Sequence, residues 1–317
     1  MARVVWTASV PDMARLVFLG TPEAAVPPLR SLVAAGHDVA LVVTRPDKRR
    51  RRGGQLDPSP VKATALEMGL AVTDDLATAT GVGAELGVVV AYGRIVPVAV
   101  LDELPMVNLH FSLLPRWRGA APVERAILAG DAETGVCLMA VEAGLDTGAV
   151  YAEEATAIDP EETADDLRSR LVTIGCQMLV QNLAAGRAGL PVPHEQAGNP
   201  SYAEKLAVHE LELDWTRPAF HLARVVRLGR AWTTFRGKRV RVLAAVPAPE
   251  APLTLPTPDD TIGAVPPVPG GLRGTRVGTG SSTSLVLRTV QPEGKRPMAA
   301  EAWLHGVHPD PDDRLGS

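Results

Sequence analysis

The sequence predicts an α/β chain: a doubly wound parallel sheet domain followed by a small C-terminal β-barrel. Three observations carry this. Apolar runs alternate with helical stretches through the first half of the chain, the pattern of a parallel sheet covered on both sides. The run Gly87-Val88-Val89-Val90-Ala91 has no polar side chain, as expected of a strand buried on both faces. After residue 190 the pattern changes to short alternating strands between Pro- and Gly-rich turns.

In order, residues 16–19 form an apolar strand, Gly20-Thr21-Pro22 a turn, and residues 23–35 a helix that Gly36 stops. A strand follows at 39–43, a helix at 60–68, a short strand at 70–72 and a helix around 75–85. The buried strand 87–91 and the strand 106–110 come next. A helix at 121–129 precedes strands at 134–141 and 149–158, separated by a tight loop with two glycines, Gly144 and Gly148. A long helix over 163–185 carries Leu167, Leu171, Ile174, Met178 and Leu179 near helical spacing, with Thr163 as N-cap. Gly186, Gly189, Pro191 and Pro193 then break the chain. Beyond them, 213–228 has mixed helical character, 239–246 and 284–290 alternate like strands, and the Pro-rich stretch 247–269 reads as a surface loop. The expected organisation is an N-terminal extension (1–14), a Rossmann-like catalytic domain (15–190), a linker (191–208) and an OB-like β-barrel domain (209–317).

The first turn lacks the Gly-x-Gly-x-x-Gly pattern that lets a backbone approach a dinucleotide pyrophosphate, which disfavours a nicotinamide-dependent dehydrogenase. Ligand chemistry is expected instead at the carboxyl ends of later strands, where Tyr92-Gly93 and His110-Phe111-Ser112 fall. Asn108 and His110 stand at i and i+2 on a strand, so they share one face. The loop between the strands at 134–141 and 149–158 carries Asp146, and a hairpin-like return would bring it against His110. An amide donor, an imidazole and a carboxylate are the parts that acyl transfer requires. Taken alone, Asn-x-His also fits a hydrogen-bonded core histidine at a strand end.

Composition narrows the class. A chain of 317 residues with 46% apolar and 21% charged residues suits a globular protein of two domains. Cys137 and Cys176 are too few for a disulfide framework and read as buried thiols. No apolar stretch approaches a membrane span, so a cytoplasmic protein without a membrane partner is expected. Net charge is −4, yet the bases are clustered. Arg45, Lys48, Arg49, Arg50, Arg51 and Arg52 stand against Asp47 alone; residues 215–246 hold Arg217, Arg224, Arg227, Arg230, Arg236, Lys238, Arg239 and Arg241 and no acid. Such clusters grip a polyanion or are simply solvated surface.

Several segments together resemble the methionyl-tRNA formyltransferases, within the folate-dependent formyltransferase superfamily. They are Gly20-Thr21-Pro22, Asp57-Pro58-Ser59-Pro60-Val61-Lys62, Val90-Ala91-Tyr92-Gly93, the long run from Asn108 through Pro122, Gly130 to Val136, Gly144 to Gly148, Tyr202 to Leu206, and Gln291 to Lys295. The resemblance spans nearly the whole chain from Leu16. Asn108, His110 and Asp146 mark the superfamily; Arg116-Trp117-Arg118-Gly119-Ala120-Ala121-Pro122 and the C-terminal segments mark the tRNA branch. Phe111 departs from the pattern, standing where a small residue is frequent.

The resemblance implies transfer of a formyl group from 10-formyltetrahydrofolate to the α-amine of initiator methionyl-tRNA. Asn108 would hold the oxyanion, His110 would mediate proton transfer, and Asp146 would orient His110. Ser112, Leu113, Leu114 and Pro115, with Val90 and Tyr92, would line the folate pocket, although Leu-Leu-Pro also suits core packing. Arg45, Lys48 and Arg49, Arg50, Arg51 and Arg52, with Arg239 and Arg241, would contact tRNA. A monomer is expected. No metal is expected, since His110 and Asp146 without a third ligand make a poor zinc site. Formyltransferases acting on a nucleotide-sugar amine or on glycinamide ribonucleotide share the same three residues and stand as the alternative; an RNA-binding protein without activity is the reading from another class.

Overall fold

In the computed structural model the described residues are 13–49, 56–248 and 268–317. The chain divides into two compact units. The first comprises the chain up to Val123, with Glu133–Ala157 and Leu167–Glu204; the second comprises Glu124–Ala132, Ile158–Asp166 and Lys205–Ser317.

The elements begin with β1 (Arg15–Gly20), α1 (Val26–Ala34), β2 (Asp38–Val43), the antiparallel pair β3 (Lys48–Arg49) and β4 (Leu56–Asp57), and α2 (Pro60–Glu67). They continue with β5 (Val72–Thr73), β6 (Leu86–Val90), α3 (Val98–Glu103), β7 (Met106–His110), β8 (Arg118–Gly119) and α4 (Pro122–Ala129). Next come β9 (Glu133–Ala140), β10 (Val150–Ala157), α5 (Ala164–Asn182) and β11 (Tyr202–Ala203). Local sequence explains several starts. The Ser59 hydroxyl accepts from the Lys62 N–H at 3.1 Å with Pro60 at the first helical position of α2. Thr163 and Asp166 cap α5 reciprocally, each side chain accepting from the other's N–H. The helix expected over 75–85 is instead a 3-10 stretch, Leu76–Val82, capped by Asp75 and ended by Gly83 at φ 69°.

Seven strands of the first unit form one sheet in the order β10-β9-β7-β6-β1-β2-β5. The five from β5 to β7 in that row are parallel, while β7–β9 and β9–β10 pair antiparallel. The sheet is therefore mixed rather than wholly parallel. The physical reason is connection length: the short segment between β9 and β10 permits only a reversal, because a parallel return needs a crossover of a dozen or more residues. Strand order reverses at β1, with β2 on one side and β6 on the other, so a crevice opens at their carboxyl ends. Thr21 Oγ1 donates across it to the Tyr92 carbonyl at 3.2 Å. Gly20 allows that approach; a Cβ there would lie 3.1 Å from the Val90 carbonyl and 2.9 Å from Ala25 Cβ.

The second unit adds α6 (Ala219–Arg227), β12 (Trp232–Phe235), β13 (Lys238–Pro247), β14 (Leu272–Arg273), β15 (Arg276–Gly278), β16 (Ser284–Pro292), β17 (Met298–Ala299) and α7 (Ala300–Val307). Its antiparallel sheet runs β12-β13-β16-β15-β14, with β17 also on β16. Arg236 and Gly237, both at positive φ, make the two-residue turn that matches strand twist between β12 and β13. Trp215, Leu222, Val226, Phe235, Val242, Leu285 and Trp303 are buried together in its core. The mixed character of 213–228 resolves into an extended lead-in and a helix, α6, begun at Pro218. Most of the Pro-rich stretch, and residues 1–12, lie outside the described residues.

Candidate active site

Strand β7 sits inside the sheet between β6 and β9. Leu109 points to the face covered by α5, where a Cβ on Gly175 would meet Leu109 Cδ2 at 2.5 Å. By the period of two, Asn108 and His110 therefore point together to the opposite face. The loop between β9 and β10 returns to that face. Gly148 makes the return possible, since a Cβ there would lie 2.1 Å from the Ala140 carbonyl. Asp146 stands in this loop at φ 51°, a left-handed conformation that Asp adopts more readily than most residues.

The Asp146 carboxylate gathers three partners. Its Oδ1 accepts from Asn108 Nδ2 at 3.4 Å, and its Oδ2 accepts from the Gly119 N–H at 2.7 Å. His110 Nδ1 lies 3.7 Å from the same Oδ2, ion-pair rather than hydrogen-bond range. His110 is buried, 5% exposed, and its Nε2 is 2.9 Å from the Trp117 carbonyl. A carbonyl only accepts, so Nε2 carries the hydrogen of that bond. The imidazole is thus held from both sides: by a backbone carbonyl on Nε2 and by a carboxylate facing Nδ1.

Backbone groups of the loop before and within β8 complete the site. Trp117 sits at φ 60° and Gly119 at φ 119°. The Trp117 N–H donates to Ser201 Oγ at 2.9 Å, and β8 pairs in parallel with β11 through Arg118–Tyr202 and Gly119–Ala203. Gly119 is required there: a Cβ would lie 3.0 Å from the Ala203 carbonyl. Gln196 and Arg118 lie alongside. Gln196 Nε2 donates to the carbonyls of Asp146 at 2.9 Å and Gly148 at 2.8 Å, while Gln196 Oε1 accepts from Arg118 Nε and Nη2 at 3.1 and 2.6 Å.

A model of the formyl transferases matches residues 14–183, and a model of the formyl transferase C-terminal domain matches residues 205–308. The chain belongs to the formyl transferase family. It is 43% identical over 306 residues to a methionyl-tRNA formyltransferase of Cereibacter sphaeroides, covering 92% of this chain and 96% of that one. It is 48% identical over 245 residues to that of Dinoroseobacter shibae, covering 73% and 82% of the two chains. Among solved structures, the fold is similar to WlaRD, a sugar 3N-formyl transferase, with a TM-score of 0.64 at 16% identity over 90% of this chain and 99% of that one. It is also similar to the methionyl-tRNA formyltransferase from Clostridium thermocellum, with a TM-score of 0.56 at 15% identity over 74% and 93%.

Within this family member, the residues expected to line a pocket divide unevenly. Val90 and Ser112 are fully buried, and Tyr92 packs among Val17, Leu19, Val43, Val89 and Met106. Burial pushes the Tyr92 phenol up from its ordinary pKa, with nearby Arg94 acting the other way. The Ser112 hydroxyl donates to the Arg116 carbonyl at 2.6 Å, bracing the loop. Leu114 is buried with Cys137, Met139 and Val150, and its N–H donates to Cys137 Sγ at 3.4 Å. Burial pushes the Cys137 thiol up to about 12. Pro115 is also buried, so of the four residues 112–115 only Leu113 keeps a partly open side chain. Residue types alone suggest a wall of side chains here; in the structure Val90, Tyr92 and Leu114 are buried among apolar neighbours, and Ser112 braces the loop.

Arg45 is half-buried just beyond the end of β2, its Nη1 3.6 Å from where a Gly93 Cβ would be. Lys48 and Arg49 form β3, and Arg50, Arg51 and Arg52 lie outside the described residues. The basic stretch of the second unit separates into two kinds. Arg236 binds Asp310, Asp313 and two backbone carbonyls, and Arg227 donates to the Glu162 and Asp159 carbonyls at 2.7 and 2.8 Å. Arg239 is exposed and lies over the Trp232 ring at 4.1 Å, while Arg241 donates to Gln291 Oε1 and the Gly229 carbonyl on the surface. Gln196, Ser201 and the backbone of Trp117 and Gly119 are invisible to sequence reasoning. A backbone donor has no signature in residue type, and Gln196 follows Asp146 by fifty residues in what reads as a linker.

Proposed function

We propose that the chain transfers the formyl group of 10-formyltetrahydrofolate to the α-amine of initiator methionyl-tRNA, for initiation of translation. One observation carries the reading: Asn108, His110 and Asp146 meet at one point in a chain 43% identical, over 92% of its length, to a methionyl-tRNA formyltransferase. In this reading the amine attacks the formyl carbon and a tetrahedral oxyanion forms. Asn108, with a second amide hydrogen beyond the one directed at Asp146, donates to that oxyanion. The amine loses a proton and N10 of the folate gains one as the C–N bond to it breaks, with His110 carrying the proton. Asp146 orients the imidazole and balances the charge it gains.

The proposed organisation is a catalytic domain over 15–190, a linker over 191–208 and a tRNA-binding domain over 209–317, acting as a monomer in the cytoplasm. Folate would meet Leu113 and the backbone of 112–115, 90 and 92. The acceptor arm would meet Arg45, Lys48 and Arg49–Arg52 at one place, and Arg239 and Arg241 at another. Phosphate contacts of this kind give affinity that falls steeply with salt. Among the described residues no helix is long and apolar enough to cross a membrane. The test supplies 10-formyltetrahydrofolate with methionyl initiator tRNA, methionyl elongator tRNA and a nucleotide amine in parallel. Formylation of the initiator alone is expected; formylation of the nucleotide amine alone would move the chain to the sugar or purine branch.

A further inference from the structure

Gln196 and Arg118 close a ring of hydrogen bonds around Asp146. The Gly119 N–H holds the Asp146 carboxylate at 2.7 Å, and Gly119 is the neighbour of Arg118 in β8. The Arg118 guanidinium forks onto Gln196 Oε1 through two N–H groups. Gln196 Nε2 then returns to the carbonyls of Asp146 and Gly148. Both polar atoms of the Gln196 amide are used, and both serve segments that place the carboxylate. The loop itself holds Asp146 in the left-handed region, an exposed Leu145 and glycines at 144 and 148. It has little side-chain packing of its own to keep that shape.

We propose that Gln196 is a positioning residue for formyl transfer: anchored by Arg118, it fixes the backbone on both sides of Thr147 and so aims the Asp146 carboxylate at Asn108 and His110. The role rests on the acyl-transfer reading of those three residues. Gln196 itself has no hydrogen bond to the imidazole or to the Asn108 amide. It acts through geometry, so its loss should lower turnover while leaving substrate affinity almost unchanged.

The experiment compares wild type, Gln196→Ala and Gln196→Glu. The second substitution keeps the side-chain shape and the Arg118 pair but presents oxygens, not donors, to the two carbonyls. Both variants should lose kcat about tenfold or more while KM for folate and tRNA stays within about threefold. Hydrogen exchange at the Gly119 amide and across residues 142–148 should quicken about tenfold or more in both, with exchange in β1, β6 and β7 unchanged. Wild-type kcat in Gln196→Glu, or unchanged exchange at Gly119 in Gln196→Ala, would overturn the proposal. Exchange quickened throughout the sheet would also overturn it, since the residue would then be a general support. If the wild-type chain formylates none of the acceptors while the exchange pattern appears, the positioning of Asp146 stands and the assignment of formyl transfer is what fails.

Discussion

Two polar regions of this molecule differ both in composition and in how their groups are bound. Around Asp146, each polar group meets another: carboxylate to amide, imidazole and backbone, and guanidinium to carboxamide. In the basic stretch of the second unit, some guanidiniums are bound into carboxylates and carbonyls, while Arg239 rests on an aromatic ring at the surface. In the first region the polar groups are held by one another; in the second, Arg239 keeps its guanidinium at the surface. Counting charges shows that one region is mixed and the other basic; what each side chain touches shows how the charges are held.

The sharpest way to break this comparison is to remove the centre of the first region. His110→Ala or Asp146→Ala should lower kcat for formyl transfer by about 10²–10⁴-fold, the range for lost proton-transfer catalysis, with tRNA affinity within a few-fold. Lost tRNA binding in a folded variant would place these residues in the RNA interface instead. Asn108→Ala should cost about 10²–10³ in kcat if it holds the oxyanion, read by steady-state kinetics at saturating folate.

Smaller effects sharpen the second region. Arg239→Ala and Arg241→Ala should each weaken tRNA binding and reduce the slope of log affinity against log salt by about one. Arg236→Ala should lower thermal stability and leave that slope alone, because its charge is already met by Asp310 and Asp313. An equal slope change in all three would show that pairing with Asp310 and Asp313 does not set Arg236 apart from Arg239 and Arg241. Replacing Arg49–Arg52 by alanine should flatten the salt dependence further; an unchanged slope removes that segment from the interface. The smallest effect concerns Cys137. Burial raises its pKa to about 12, so the reactive thiolate is scarce at every pH below that and grows about tenfold per pH unit. Alkylation of the folded protein at about pH 8 should therefore be negligible at this thiol, measured by mass spectrometry.

Much of the first unit was legible because each strand carries its own signal. The apolar run at β6 and the shared face of Asn108 and His110 follow from a period of two, which needs no knowledge of neighbours. The Thr163 cap of α5, in the second unit, is likewise local. Strand β12 was not legible, since Trp-Thr-Thr-Phe is too short to show alternation apart from the turn that follows it. The surroundings of the expected pocket lining were not legible for a related reason. Tyr92 and Leu114 sit beside the loop ends in sequence, yet their side chains turn into the core, and residue type cannot report which way a chain turns after a strand.

What the sequence by itself determined is the set of chemical parts: an amide and an imidazole two residues apart on one strand, and a carboxylate in a glycine-bounded loop. Those follow from local geometry and residue chemistry. Only the tertiary structure decided how they are held: the antiparallel pairing of β9 with β7, the Trp117 carbonyl on His110, the Gly119 N–H on Asp146, and Gln196 from a distant segment. These depend on which strands pair and where loops return. A backbone carbonyl or N–H looks alike for nearly every residue type, so the Trp117 carbonyl and the Gly119 N–H could not be read as site groups from sequence.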